Sequence, residues 1–576
     1  MVKLPKKTKM SIFLIKEGVS PNDIVDKNVP AIQLDEMPSG YELHVRRNDD
    51  HKPDWLLSFF SSSISGDDSL TISSLGAVLT VPVSIPCGET MCRRFFAITF
   101  GYGRSFLNRE VCEERFGLKC VLNSVDENAL RTIKFTDVSG SARRSSEQMP
   151  RASSIEEFSL DVQRSLLSAT TAKGKDGDLL EGTVSGSDSL SMTKLVNVNT
   201  VGSFLVKVYD LYRSDRYRKN FDWIDNIASV NNPEMEKRLW KEAIAIITSG
   251  KEKASVTSDL WMTVPDVLNW EDVAGFRYYG ERKDSEGKLP LHEDILMEEV
   301  LATFHKKLES YRQLRSKKIS AVDARSGNEI QSWSAASCLV GELRLNNGKN
   351  YCVTAGKWYE IAQDYVQQIE EEYRSIAPSD TAFIPYLKEY NSEEEAVSVY
   401  ENNTEKKLSH EARYNYEAQK KLNESETEKR YLLMDRRLIP YGSGKNSREE
   451  LCDILSDSGE RIHIKRCSGS SAMSHLFNQG LVAASLEVDG DGFIAVANEK
   501  IKEAANDYGL PAGEFLLPSH SGPGKHSISK VIFGIVKERK TGKPNLPFFS
   551  KVALAAVRRQ LKRMNLELQL NWIPCQ

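Results

Sequence analysis

Short runs of alternating apolar and polar residues dominate the first part of the chain. From about Lys9 to Asn123 the segments SIFLIKE, GYELHVRR, DWLLSFF, GAVLTVPVSI and RRFFAITF are rich in β-branched and aromatic residues and are separated by polar turns. They predict a β-rich N-terminal domain over residues 1–137. GYGR follows the FAITF strand, and Gly101 and Gly103 let the backbone turn sharply there. The spacing fits a structural turn better than a phosphate loop, with Arg104 in an ion pair or on a ligand. Residues 138–200 are rich in Ser, Gly and Thr (SGSARRSSEQMPRASS, TTAKGKDGDLLEG, VSGSDS) and read as loops or a linker. Arg143, Arg144 and Arg151 there read as a solvated loop surface.

The period then changes. Over 201–316 the segments SFLVKVYDLYRSDRYRKNFDWIDNI and EDILMEEVLATFHKKLESYRQL carry apolar residues at helical spacing, which predicts a helical α/β region. From Lys317 onward strands return. SCLVGELRLNNGKNYCVTAGKWYEI has an Asn-Gly step at Asn347–Gly348, a hairpin signal. AQDYVQQIEEEYRSI reads as an amphipathic helix, and the Glu-rich stretch Asn391–Arg430 as a solvated helical one. Tyr431–Gly480 reads as three strands followed by the helix AMSHLFNQGLVAASLE. VIFGIVKE is a buried-type strand, and LPFFSKVALAAVRRQLKRM enters an amphipathic helix. The fold class expected is a multidomain α+β or α/β chain. Its last part, 317–576, is a mixed sheet flanked by helices.

Composition narrows the function without naming it. The 576 residues carry 77 basic and 81 acidic side chains, a net formal charge of −4, which excludes a uniformly basic chain. Nine cysteines in so long a chain do not make a disulfide scaffold, and reduced thiols fit a cytoplasmic protein. No run approaches 18 apolar residues, and Ile12–Ile15 is too short for a signal-peptide core, so no membrane segment is expected. Charge is uneven, however. From Lys525 to Arg563 there are eleven basic residues and one acidic residue, Glu538. Lys551, Arg558, Arg559, Lys562 and Arg563 in that span, with Arg466, Ser470, Ser471 and His475 ahead of it, are the expected contacts to a polyanion. Ser470, Ser471 and Ser474 can also cap the helix that carries His475, and its N-terminus is a seat for phosphate. His475 by itself reads as a partly buried histidine.

Candidate chemistry lies in ELCDIL and RIHIKR. Strand alternation puts Asp453 on one side with Leu451 and Leu455, and His463 with Lys465 opposite Ile462 and Ile464. A tight turn between the strands then gathers Asp453, His463 and Lys465 on one polar face. This arrangement resembles the core of the PD-(D/E)xK nucleases of the restriction-endonuclease-like fold. The resemblance implies that Asp453 is the first acid and Lys465 the lysine, with Gln479 in the place of a supporting glutamine. Asp453 would bind Mg²⁺ or Mn²⁺, and the lysine would serve the attacking water. His463 stands where that family has a second acid, a departure that puts Mg²⁺-dependent cleavage in doubt. Glu449, Glu411 or Glu417 could supply the missing carboxylate, whereas Glu450 faces away in a regular strand unless a bulge intervenes. No nucleotide or organic cofactor is evident.

ELCDIL, IHIKR, SHLFNQG and NLPFFSKVAL, with FFAITFGYGR and GKWYE upstream, look like a sporadically distributed bacterial family similar to proteins found near restriction and phage-defence genes. That resemblance implies a metal-dependent DNA nuclease of anti-phage defence. Two alternatives stand beside it. One is an inactive nuclease fold that grips DNA, or RNA, as a sensor or effector. The other is a scaffold whose N-terminal domain binds a phage or defence-system protein. An oligomer is compatible with each.

Overall fold

The computed structural model describes the chain except residues 1–6, 33–36, 53–70, 88–89, 138–142, 159–164, 250–256, 267, 269, 284–286, 395, 402–403, 426–428, 441–447, 468, 490, 519–527 and 539–544. The expected DWLLSFF strand and the tail residues Lys525, Arg539, Lys540 and Lys543 lie outside the described residues, as does the side chain of Ser471. The fold is mixed α+β with several sheets, and it divides into two compact units: residues 1–136 with 144–225, and 137–143 with 226–576.

The first unit is built on a ten-stranded sheet. Its Ile72–Cys87 and Thr90–Gly101 strands form a long hairpin, beside which Thr8–Leu14 pairs antiparallel. The Ser/Gly/Thr-rich segment read as loops supplies strands instead: Arg143–Ser153, Ser165–Gly174, Gly182–Gly186 and Ser189–Lys194. Thr and Ser satisfy a ladder as well as a loop when a neighbouring strand is present, as Thr8–Leu14 is for Ser189–Lys194. One face packs on the helices Phe116–Ser124 and Val201–Arg213 around Ile12, Phe96, Phe116, Leu205 and Val208. GYGR is a structural turn. Gly101 has φ +53°, and a Cβ on Gly103 would lie 2.0 Å from the Ala77 carbonyl oxygen. Arg104 stacks over the Phe13 ring at 6.0 Å.

The second unit holds three larger sheets. A five-stranded antiparallel sheet runs in the order Ile227–Ser229, Lys357–Ile361, Asn350–Thr354, Leu339–Arg344, Thr257–Met262. Its central hairpin turns at Asn347–Gly348, with Gly348 at φ +80°, as the Asn-Gly step predicts. A three-stranded sheet (Val273–Tyr278, Lys318–Asp323, Glu329–Ser334) shares its core. The EDILMEEVLATF and SYRQL segments are two short helices, Met297–Ala302 and Tyr311–Ser316, and not one long one.

The third sheet has six strands in the order Ala377–Pro378, Glu567–Cys575, Lys530–Glu538, Glu460–Arg466, Ile454–Ser456, Tyr431–Leu433. Glu460–Arg466, Lys530–Glu538 and Glu567–Cys575 are parallel, while Ile454–Ser456 and Tyr431–Leu433 join antiparallel. Parallel neighbours need crossovers, which the helices Ser470–Asp489 and Phe548–Arg563 provide. Both faces are covered, so the central Lys530–Glu538 strand is apolar from Val531 to Val536, while Glu460–Arg466 alternates Ile462 and Ile464 with buried polar residues. Ile462, Ile464, Ile532 and Val536 pack against Tyr414, Ala418 and Leu422 of the His410–Ser425 helix. On the other face Val531, Phe533 and Ile535 pack against Met473, Phe477 and Leu554. Among its described residues, the stretch Asn391–Arg430 is α-helical over His410–Ser425. A hairpin, Val397–Glu401 with Thr404–Leu408, precedes it because Val397, Val399 and Leu408 give it an alternating pattern.

One ion pair lies wholly inside this layer. Arg461 and Glu487, 2% and 1% exposed, form a bidentate pair with Nε–Oε2 at 2.9 Å and Nη2–Oε1 at 2.6 Å. Losing one partner strands the other charge in an apolar setting. Arg461→Leu is therefore expected to cost about 3–5 kcal/mol in urea unfolding, and Arg461→Leu with Glu487→Leu to recover most of that loss. A double variant as unstable as the single one would disprove this.

Candidate metal centre

The expected strand SREELCDIL is broken, and the break builds the site. Arg448–Glu450 pairs with Leu438–Pro440, whereas Ile454–Ser456 belongs to the six-stranded sheet. Between them Leu451 and Cys452 are buried and the backbone changes partner. The Asp453 N–H donates to the Ile462 carbonyl at 2.9 Å, and the Asp453 carbonyl accepts from Met434 N at 2.8 Å and Asp435 N at 3.0 Å. These bonds set Asp435 beside Asp453. The chain then turns at Arg436, a non-glycine residue at φ +62°, and runs back so that Leu438 pairs with Glu450. Asp435, Glu450 and Asp453 thereby offer one carboxylate oxygen each, all within 4.8 Å of one another.

Further polar groups surround this trio. Asp453 Oδ2 accepts the Ile464 N–H at 2.5 Å. Glu411, in the first turn of the His410–Ser425 helix, accepts from Lys465 Nζ at 3.2 Å and from the Arg466 N–H at 2.9 Å. Asn415, one helical turn on and 1% exposed, hydrogen-bonds the Asp435 carboxyl. Among the described residues, the buried Asn415 Oδ1 and Asp435 Oδ2 accept no hydrogen bond. The Arg436 guanidinium is the nearest cation to Asp435, Nε at 3.5 Å from Oδ2.

Burial, and after it crowding of like charges, raises these carboxyls. Burial, then the Asp435 carboxylate, holds the Asp453 carboxyl well above its ordinary range, against the pull of the Ile464 N–H. Burial also raises Asp435, despite Arg436 and the Asn415 hydrogen bond. Glu450 is pushed up to about 7 by burial, then by Asp435 and Glu449, with Lys465 pulling the other way. Three carboxylates are hard oxygen donors, and Asp435 Oδ2, though 3.5 Å from Arg436 Nε, accepts no hydrogen bond among the described residues. The set fits a hard divalent cation.

The predicted site residues divide. Asp453 is in the cluster, and Lys465 stands beside it on Glu411. His463 is not there. It is 4% exposed, its ring 6.0 Å from that of Phe533, with Nε2 lacking a hydrogen bond, and burial lowers it to about 3, so it is neutral. The alternation that separates Ile462 and Ile464 from His463 sends the histidine into the layer under the Ser470 helix. It is thus not grouped with the three carboxylates and does not join the polar corner. Glu449 is replaced by Glu450 as the inner carboxylate, since the partner change after Glu450 reverses the expected facing. Glu449 is half-buried on that strand, and burial raises its carboxyl. Glu417 acts instead on Tyr390. Gln479 is half-buried on the Ser470–Asp489 helix. Asp435 was missed because it lies eighteen positions before Asp453 and backbone pairing is what unites them.

The polyanion contacts fare unevenly. Ser470 is buried, its N–H donating to Asp259 Oδ2 at 2.6 Å and its hydroxyl accepting from Ser550. Lys551 is buried and paired with Glu370. Arg558 donates to Glu372 and Ser375, and Arg559 pairs with Glu372 at 2.9 Å. Lys530 and Lys537 likewise have protein partners. Of the described tail cations, Lys562 and Arg563 are exposed, as is His475 farther back, while Arg466 reaches Asn391 at 3.4 Å. Much of the charge excess therefore holds the C-terminal layer together.

The chain belongs to a protein family described as "Family of unknown function (DUF6119)", whose model matches residues 10–574. No curated protein and no solved structure matches it. No helix among the described residues is long and apolar enough to cross a membrane.

The raised carboxyls give a signed expectation. They bind protons in the folded state that an exposed carboxyl releases near pH 4, so stability without metal falls as pH rises toward 7. Glu450→Gln should therefore stabilise the metal-free protein at pH 8, by about 1–2 kcal/mol after allowance for its solvent contact. Mn²⁺ should bind at least tenfold more tightly at pH 8 than at pH 5.5, because it must displace those protons. Calorimetry showing pH-independent affinity, or a destabilised Gln variant, would count against a shared carboxylate site.

Proposed function

We propose that the protein is a metal-dependent nuclease that hydrolyses phosphodiester bonds in DNA, built on a restriction-endonuclease-like C-terminal layer. The observation that carries this reading is the Asp435–Glu450–Asp453 cluster at the strand ends, with the Lys465–Glu411 pair next to it. A mixed sheet with a helix ahead of the antiparallel strands and helical crossovers between the parallel ones supports it. The departure at His463 loses its force, since Asp435 and Glu450 furnish the carboxylates that the second strand lacks.

Asp435, Glu450 and Asp453 would hold Mg²⁺ or Mn²⁺. The bound ion would supply Lewis-acid polarisation of a phosphoryl oxygen and an acidified water. Lys465, freed in part from Glu411, donates to a non-bridging phosphate oxygen and balances the charge that develops there. Glu411 is left as a base within reach of the same region. Asn415 fixes the Asp435 carboxyl, and the Ile464 N–H fixes that of Asp453, so the ligands are held in place before substrate arrives. The setting proposed is bacterial anti-phage defence, on the resemblance of the chain to defence-associated proteins.

The test is direct. Linear and supercoiled DNA are incubated with the purified protein and Mg²⁺, Mn²⁺ or chelator. Cutting is expected with either metal and lost with chelator, and Asp453→Asn and Lys465→Ala should each lower it by a hundredfold or more. Circular dichroism shows whether each variant is folded. Intact DNA under all metal conditions, with a salt-sensitive mobility shift, would replace the enzyme by a DNA-gripping protein. Equal cutting by wild type and Asp453→Asn would move the chemistry elsewhere.

A further inference from the structure

Two carboxylates outside the candidate metal centre meet two helix ends. Asp259 and Glu342 are directly opposite each other in the antiparallel pair Thr257–Met262 and Leu339–Arg344. Like charges in that position repel, yet both side chains are half-buried and turned onto backbone N–H groups. Asp259 Oδ2 accepts the Ser470 N–H at 2.6 Å. Glu342 Oε1 accepts the Phe548 N–H at 2.5 Å and its Oε2 the Phe549 N–H at 2.9 Å. The pair thus caps the first turns of the Ser470–Asp489 and Phe548–Arg563 helices, which are the two crossovers of the six-stranded sheet. Ser470 and Ser550, both buried, are joined at 3.0 Å between those turns. Gly469, at φ +153°, brings the backbone so close that a Cβ there would lie 3.0 Å from Asp259 Oδ1.

We infer that Asp259 and Glu342 form a proton-controlled latch between the five-stranded sheet and the two crossover helices, closed when Glu342 holds a proton and loosened when it does not. Helix N-termini favour anions, so one carboxylate at this place would be a plain cap. Two carboxylates facing each other make the second charge costly, and a single proton relieves it. Other charges around Glu342 are Arg344 on its own strand and Lys551 on the Phe548 helix, the latter engaged by Glu370 of the Gln363–Arg374 helix. Lys537, on the Lys530–Glu538 strand, adjoins the Asp259 side of the cluster, where both act on Cys467. Lys551 is thus committed to a different carboxylate, and the Asp259–Glu342 repulsion is left incompletely balanced. In agreement, burial and then Asp259 lift Glu342 to about 7, against the pull of the Phe548 and Phe549 N–H groups and Lys551.

The sign follows. The closed latch binds a proton more tightly than an exposed glutamate does, so the latch is firm in mild acid and loses strength as pH rises through neutrality. The Ser470 helix begins shortly after Lys465 and Arg466, so loosening reaches the edge of the candidate metal centre without involving its carboxylates. The latch stands whether or not the nuclease reading does.

Hydrogen–deuterium exchange on the full-length protein tests it, with rates corrected for intrinsic exchange at pH 5.5 and pH 8. In wild type the opening equilibrium at the Ser470 and Phe548–Phe549 amides should rise roughly thirtyfold between those values. Glu342→Gln, which keeps an oxygen acceptor but cannot ionise, should abolish the rise. The Val201–Arg213 helix serves as an internal control and should not change. If Glu342→Gln fails to fold, Asp259→Asn should move the rise to lower pH. A pH dependence identical in wild type and variants, or protection that grows with pH in wild type, overturns the latch.

Discussion

Backbone pairing at Asp453 is the constraint on which the candidate centre depends. Its N–H is tied to Ile462 and its carbonyl to Met434 and Asp435, so one residue bridges two strands of the six-stranded sheet. Those bonds force two carboxyl side chains together, and the return of the chain through Arg436 adds a third. Mutual repulsion opposes this gathering, and packing of Leu432, Met434, Ile439, Leu451 and Cys452 beneath it holds the segments in place. A crowded, desolvated carboxylate cluster is a poor way to stabilise a fold and a good way to bind a hard cation.

The surrounding layer repeats the theme of charge held inside by geometry. Arg461 and Glu487 meet in the apolar layer, Arg437 and Asp507 pair at 2.7 Å near the hairpin of the candidate centre, and Lys551 lies against Glu370. Each pair joins segments distant in sequence. Buried pairs of this kind are weak sources of net stability, but removing one member is costly, so they act mainly on which arrangement the segments adopt. The cationic C-terminal span belongs to this pattern. Arg558 and Arg559 dock their helix onto Glu372 and Ser375 and leave the exposed charge to Lys562 and Arg563.

Hydrophobic period alone carried a good deal of the architecture. The Asn347–Gly348 hairpin, the apolar VIFGIVKE strand, the Val201–Arg213 helix and the polar-faced Gln363–Arg374 helix are all local signals that tertiary packing left intact. Asp453 and Lys465 were singled out from strand alternation, but what brings them near Glu411 and Asp435 is hydrogen bonding between distant segments. Arg143–Ser153 and Ser165–Gly174 were not legible as strands, because Ser, Thr and Gly fit loops and ladders alike until a partner strand decides.

What the residues by themselves determined is which segments bury and which face of each does so. Side-chain chemistry and a period of two or 3.6 suffice for that. Tertiary structure decided which carboxylates meet. Asp435, Glu450 and Asp453 converge only because a strand changes partner between Glu450 and Ile454, and His463 leaves the site only because its face is covered by the Ser470 helix. Both outcomes depend on hydrogen bonds and contacts between residues far apart in the chain, where local preference has no voice.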